Sequence, residues 1–252
     1  MQRNEPRREF SEIHARAVYD SQMRCRKAKK IFAILNEYCG NQTDKLSVLD
    51  LGCSAGIISE YLSQRFARVT GIDIDRPAIE YALAKARADN LNFYVRNALE
   101  TGFLDESFDI VICNHTYEHT ADPGKLLKEI KRILKPGGVC YFAAENRLNI
   151  IEAHYKLPFL SYVPKPWAHL YLMLTKKGRF YCENLLTYWG LKRFISKFDF
   201  KVTDYTLKII NRPQEYGATE LIRPGSVKQK ILSKISKLAY WACPTYIWLL
   251  KK

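Results

Sequence analysis

Two short stretches carry residue types whose spacing could do chemistry. The first is V-L-D-L-G-C-S-A-G, residues 48–56. An apolar, β-branched run ends in Asp50, and Gly52 and Gly56 follow with three small residues between them. Glycines so placed let a ligand lie against the main chain where a Cβ would block it, and Asp50 sets a carboxylate at the edge of that loop. The second is N-H-T-Y-E-H, residues 114–119. The i, i+3, i+4 spacing of His115, Glu118 and His119 predicts that all three share one side of a helical turn. Histidine accepts a proton near neutral pH, so His119 and then His115 are the candidate acid–base groups.

The elements that must position these groups follow from hydrophobic periodicity. Residues 48–56 read as a strand, a tight loop and a helix start. A helix is expected over 57–66, a second strand over 69–75 (V-T-G-I-D-I-D), and an alanine-rich helix over 76–88 with Pro77 in its first turn. L-N-F-Y-V-R-N gives a third strand ending at Asn97, F-D-I-V-I-C a fourth leading into Asn114, and V-C-Y-F-A-A-E a fifth after a helix over 123–134 and K-P-G-G. This β-α alternation predicts an α/β fold whose parallel sheet is covered by helices, with ligands at the carboxyl ends of its strands. Asp50, Asp73, Asn97 and Asn114 all fall at such ends, so residues far apart in sequence can meet around one ligand. Asp73 and Asp75 also suit turn or helix-capping roles.

A dinucleotide loop, G-x-G-x-x-G, would need glycines at 54 and 57, where the chain has Ser54 and Ile57. Acid-x-Gly-x-x-x-Gly instead resembles the first motif of class I S-adenosylmethionine-dependent methyltransferases, from which Ser54 departs where glycine is most often found. With G-I-D-I-D, F-D-I-V-I-C, E-H-T-A-D-P and R-I-L-K-P-G-G, the resemblance covers roughly residues 46–146. It implies a Rossmann-like, mostly parallel seven-stranded sheet with helices on both faces. It also implies S-adenosylmethionine as cofactor: Asp73 for the two ribose hydroxyls with Ile74 beside it, and Asn97 facing the adenine amino group with the Ala98 amide nearby. Gly52 and Gly56 would lie along the methionine moiety, with Asp50, Ser54 and Asn114 around them. N-H-T-Y-E-H is similar to the E-x-x-E-H segment of ubiquinone-pathway O-methyltransferases, in which acids and histidine lie near the acceptor and can hold a divalent ion. Glu118 and His119 match; His115 replaces the first acid, and since hard magnesium prefers carboxylate oxygen, the metal stays undecided.

Composition bounds the rest. The 252 residues, 47% hydrophobic, suffice for one substantial core. No apolar run is long enough to span a bilayer and the start carries no signal-like stretch, so a cytoplasmic protein is expected. Seven cysteines without a C-x-x-C pair argue against zinc and against a disulfide framework. The net charge of +14 divides as +4 over residues 1–45, −3 over 46–146 and +13 over 147–252. A surplus so lopsided favours an anionic partner.

The organisation expected is a helical N-terminal extension over 1–45 and a methyltransferase domain over 46–252, with an inserted lid at about 147–182. The lid sequence is aromatic, apolar and cationic; Tyr162, Trp167, Tyr171 and Leu172, with Lys165, Lys176, Lys177 and Arg179, could form an apolar surface edged by cations. Beyond it a helix is expected over 183–197, a sixth strand over 198–210 and a final strand over 244–252 that ends the sheet. The amphipathic segment 225–242 either packs its apolar face on the domain or rests peripherally on an anionic membrane. The function expected is methyl transfer to an oxygen of a small-molecule or lipid-linked acceptor. The alternatives are an RNA methyltransferase, against which N-H-T-Y rather than N-P-P-Y speaks, and a non-catalytic S-adenosylmethionine-binding scaffold. Oligomeric state is not legible.

Overall fold

The computed structural model describes residues 18–252; the first part of the expected N-terminal extension lies outside them. Asp20 caps α1 (Ser21–Tyr38) by accepting from the Met23 amide, and Ala28, Ile31, Ile34 and Leu35 form its buried stripe. There follow β1 (Ser47–Leu51), α2 (Ile57–Ser63), β2 (Arg68–Asp73), α3 (Arg76–Lys85), β3 (Leu91–Val95), β4 (Phe108–Asn114), α4 (Pro123–Ile133) and β5 (Leu134–Glu145). The remainder comprises α5 (Lys165–Leu174), α6 (Tyr188–Ile195), β6 (Lys201–Asp204), α7 (Thr206–Asn211), α8 (Val227–Leu238) and β7 (Thr245–Lys251).

The seven strands form one sheet in the order β3-β2-β1-β4-β5-β7-β6. The five from β3 to β5 run parallel, whereas β7 is antiparallel to both β5 and β6. The chain winds outward from β1 to β3 and returns at β4, which puts the topological switch between β1 and β4. One core, with Ile31, Ile58, Leu62 and Ile79, packs α1 to α3 against one face; a second, with Leu127, Ile130, Leu191 and Ile195, packs α4 and α6 against the other. This is the expected Rossmann-like class I fold, with helices on both faces. Between β5 and α6 the chain builds a small core of its own from Leu157, Leu160, Ala168, Leu172 and Tyr181.

Several local expectations are corrected. α3 stops at Lys85 because Asn90 anchors the chain to the Ser63 and Phe66 carbonyls, at 2.8 and 2.9 Å. Helical propensity in the alanine run yields to that attachment. The sixth strand covers only 201–204, since the Asp204 carboxylate accepts from the Thr206 amide at 2.7 Å and starts α7, which buries Ile209. The helix expected from 183 begins at Tyr188, where Thr187 caps it. β7 does not close the sheet but lies between β5 and β6. In the segment read as a lid, Leu172 belongs to the small core rather than to the surface, while Trp167 and Tyr162 are exposed. α8 turns its aliphatic row outward, away from the domain. All seven cysteines are free thiols.

Candidate active site

The loop after β1 is held by main-chain bonds: the Gly52 and Cys53 amides both donate to the Ile72 carbonyl. Gly52 and Gly56 have φ of 70°, where a side chain is strained. Ser54 also sits at positive φ, 55°, which explains why glycine suits this position; its amide donates to Asp73 Oδ2 at 2.8 Å and ties the loop to β2. Asp73 Oδ1 accepts from the Asp75 amide at 3.0 Å, and Asp75 itself caps α3 through the Ala78 amide. Burial raises the Asp73 pKa, against these amide bonds that favour its charge. The carboxylate keeps acceptor capacity for a further donor. Asp50 is buried, bonded by the Ser59 hydroxyl at 2.7 Å, and burial pushes its pKa up to about 6.

The other expected cofactor residues stand along the same sheet edge. Ile74, 63% exposed, is an apolar side chain open to solvent immediately after Asp73. Asn97 follows β3, and its Oδ1 accepts from the Leu99 amide at 2.9 Å, with Ala98 partly buried beside it. Asn114 ends β4 in register with Ala143. Thr116 bonds the Leu51 carbonyl at 2.9 Å, which locks the segment after β4 to the end of β1.

That segment does not form the shared helical face expected. His115 is left-handed, φ 57°, and a single 3₁₀ turn spans Tyr117–His119. The two histidines therefore point to different acids. His115 Nδ1 lies 3.1 Å from Glu118 Oε1, and His119 Nδ1 lies 2.6 Å from Glu183 Oε2. A third pair comes from the insertion, His154 Nδ1 to Glu152 Oε1 at 2.9 Å, and the His119 and His154 rings meet edge to face at 4.7 Å. Burial disfavours the His154 charge, yet the Glu152 bond and the Glu183 and Glu145 carboxylates push its pKa up to about 9. Burial raises that of Glu145 against the pull of His154 and His115. A carboxylate on Nδ1 sets the ring orientation and leaves Nε2 to meet a substrate.

Several site residues were not legible in sequence. Glu145, Glu152, His154 and Glu183 meet only because the insertion folds back over the end of β5. α1 brings two cations: Arg24, partly buried, senses Asp50 and Asp73, and Lys27 senses Glu145 and Glu118, while burial lowers the pKa of both cations. The N-terminal segment had shown only helical character. Two sets, His115 with Glu118 and Glu145, and Glu145 with Glu152 and His154, bring ligand atoms within 4.8 Å of one another. Their mixed nitrogen and oxygen donors suit a transition metal better than magnesium.

An acid with spare acceptor capacity, an exposed aliphatic side chain beside it and a cation within electrostatic reach of Asp50 and Asp73 are groups that could hold the ribose, adenine and carboxylate of S-adenosylmethionine. Residues 49–142 match the family model described as methyltransferase domain. The ubiquinone biosynthesis O-methyltransferase of Actinobacillus pleuropneumoniae serotype 5b (strain L20) is 36% identical over 126 residues, 45% of this chain and 54% of that relative. The protein of the same name from Idiomarina loihiensis is 35% identical over 149 residues, 54% of this chain and 60% of the relative. The chain thus spans little more than half the length of these relatives. Among solved structures, the plantazolicin methyltransferase BpumL, in complex with a monoazolic desmethylPZN analog and SAH, aligns over 96% of this chain and 89% of its own. Its TM-score is 0.60 at 19% identity, a likeness of fold. The family match ends at Phe142, so it takes in the glycine loop, Asp73 and the paired histidines and stops short of the insertion. With that match laid on a sheet of this strand order, residues 49–142 are similar to methyltransferase domains within a Rossmann-like class I methyltransferase fold.

Proposed function

We propose that the protein transfers a methyl group from S-adenosylmethionine to a hydroxyl oxygen of a small-molecule or lipid-linked acceptor, with His119 removing the hydroxyl proton. The observation that carries this reading is the His119–Glu183 pair, at 2.6 Å, in the segment that Thr116 fastens to the end of β1. Glu183 orients the ring and stabilises the imidazolium that forms when Nε2 takes the proton. His115, held by Glu118, is the second candidate for that proton.

When bound, S-adenosylmethionine supplies a methyl group already activated by the sulfonium charge. Asp73 accepts from the ribose hydroxyls, Ile74 covers the adenine, and Asn97 offers its remaining oxygen lone pair, beside the Ala98 amide, to the adenine edge. Arg24 faces the carboxylate, and Gly52, Ser54 and Gly56 keep the loop flat enough for close approach, with Asp50 and Asn114 at its border. The insertion excludes water from the acceptor. Its exposed Trp167, Leu170, Met173 and Leu174, edged by Lys165, Lys176 and Lys177, favour a lipid-linked acceptor met peripherally at a cytoplasmic membrane surface. Among the described residues no helix is long and apolar enough to cross a membrane.

The test incubates the protein with methyl-labelled cofactor and separated lipid, small-molecule and RNA extracts. Label in the lipid or small-molecule fraction, on oxygen, supports the reading. Label confined to RNA overturns the acceptor, and cofactor binding without label in any fraction favours a scaffold.

A further inference from the structure

α8 is oriented in reverse of a helix that packs into its own domain. The side docked on the body is polar: Gln229 donates to the Ile210 and Asn211 carbonyls at 3.2 and 2.9 Å, Ser233 donates to Asn211 Oδ1, and Ser236 is the buried residue of the helix. The opposite side is aliphatic. Val227, Ile231, Ile235 and Leu238 are 72, 50, 52 and 80% exposed and fall within an arc of about 80° at 3.6 residues per turn. Lys228 borders that row on one flank and Lys230, Lys234 and Lys237 on the other; all four are exposed and the helix holds no acid. On the flank of three lysines, Asn211, Gln229, Lys230, Ser233, Lys234 and Lys237 line an open groove of about 450 Å³. Just after α8, Trp241 stacks on Trp189, centroids 5.7 Å apart at 23°, and both rings remain exposed at 42 and 56%.

We propose that this face docks the protein on an anionic lipid bilayer, through a surface other than the insertion. The aliphatic row enters the boundary between headgroups and acyl chains, the lysines reach back to the phosphates, and the tryptophan pair sits at headgroup level. The shallow groove between the lysines accepts a headgroup phosphate. A second copy of the chain is a poor occupant, because a two-fold contact would press two lysine-edged faces together with no acid in either helix. Nucleic acid would engage the lysines but leave the aliphatic row and the indole rings in water. The proposal stands on α8 and the tryptophan pair, independently of the methyl acceptor.

The experiment sediments the full chain with phosphatidylcholine vesicles with and without phosphatidylglycerol, at low and high salt, and follows tryptophan quenching by brominated lipid. Binding is expected only with phosphatidylglycerol and is weakened by salt. Replacing Lys230, Lys234 and Lys237 by Gln should lower the partition at low salt by about 100-fold, roughly fivefold per charge. Ile231→Asp and Ile235→Asp, on the exposed row, should each lower it by about tenfold with an unchanged melting temperature. Trp167→Ala in the insertion should leave the effect of these substitutions intact. The proposal is overturned if the Asp variants bind anionic vesicles as the parent does, if binding ignores phosphatidylglycerol, or if the parent is a dimer that Ile231→Asp dissociates.

Discussion

Gly56→Ala probes the cofactor loop most directly. Gly56 has φ of 70° at the start of α2, and a Cβ there would lie 2.5 Å from Phe93 Cζ, 2.8 Å from Phe93 Cε1 and 2.8 Å from Ala82 Cβ. Phe93 has no room to retreat: its ring also lies 2.6 Å from where a Cβ on Gly71 would stand, and it is 6% exposed. Left-handed backbone costs an alanine about 1–2 kcal/mol and overpacking a closed core about 1–3 kcal/mol. A total of about 2–5 kcal/mol corresponds to a fall in Tm of roughly 5–15 °C for a chain of this size. Shifting the start of α2 also strains the Ser54–Asp73 bond, so cofactor affinity should drop by about tenfold or more. Thermal melts and calorimetric titration with S-adenosylmethionine measure both effects. Phe93→Leu combined with Gly56→Ala should recover the overpacking part but not the backbone part, a coupling of about 1 kcal/mol or more in a double-mutant cycle. A strictly additive cycle, or a Tm within about 2 °C of the parent, would refute the reasoning. Gly52→Ala should be milder, because its Cβ meets the Thr116 side chain at 2.9 Å, which can turn away by giving up its bond to Leu51.

The other expectations concern ionisation and turnover. His154 has a folded pKa of about 9, above the ordinary value of about 6.5. Its stabilisation is therefore present in full below about pH 6.5 and lost as pH rises through about 9, up to about 3 kcal/mol; melts of His154→Gln should lack that decline. Asp50, raised to about 6 by burial, also loses stability as pH rises, over a lower pH range and because its buried charge is costly rather than paired. The folded state carries the cost of its buried charge above that pKa, so Asp50→Asn should gain Tm on the parent as pH rises from about 4 to 6 while binding cofactor less well; a pH-independent difference would count against this. His119→Ala should lower kcat by about 10²- to 10⁴-fold with cofactor Kd within about threefold, and Glu183→Gln should lower it less. Equal turnover in His119→Ala would remove that residue from the mechanism.

The strands were legible because each is a short apolar run closed by turn residues, and the shared sheet edge because Asp50, Asp73, Asn97 and Asn114 fall at or just past the ends of parallel strands. The shortfall fell where local preference met a distant anchor. Isoleucines 209 and 210 read as strand, but Asp204 caps the next turn and Ile209 is claimed by the core, so they are helical. The histidine spacing read as one helical face, but the left-handed turn at His115 sent the rings to separate acids.

By itself, then, the sequence determined the α/β alternation and the glycine loop, because spacing within a few residues fixes backbone geometry and strand ends; the donor came from the resemblance those motifs carry. The tertiary structure alone decided which groups gather around the two histidines. Glu145, Glu152, His154 and Glu183 come together, and Arg24 and Lys27 face them and the loop, only through the folding back of the insertion and the docking of α1. It also decided which way α8 faces: the period of a helix defines an apolar side, but the polar anchors of Gln229 and Ser233 on Asn211 choose which side meets the protein.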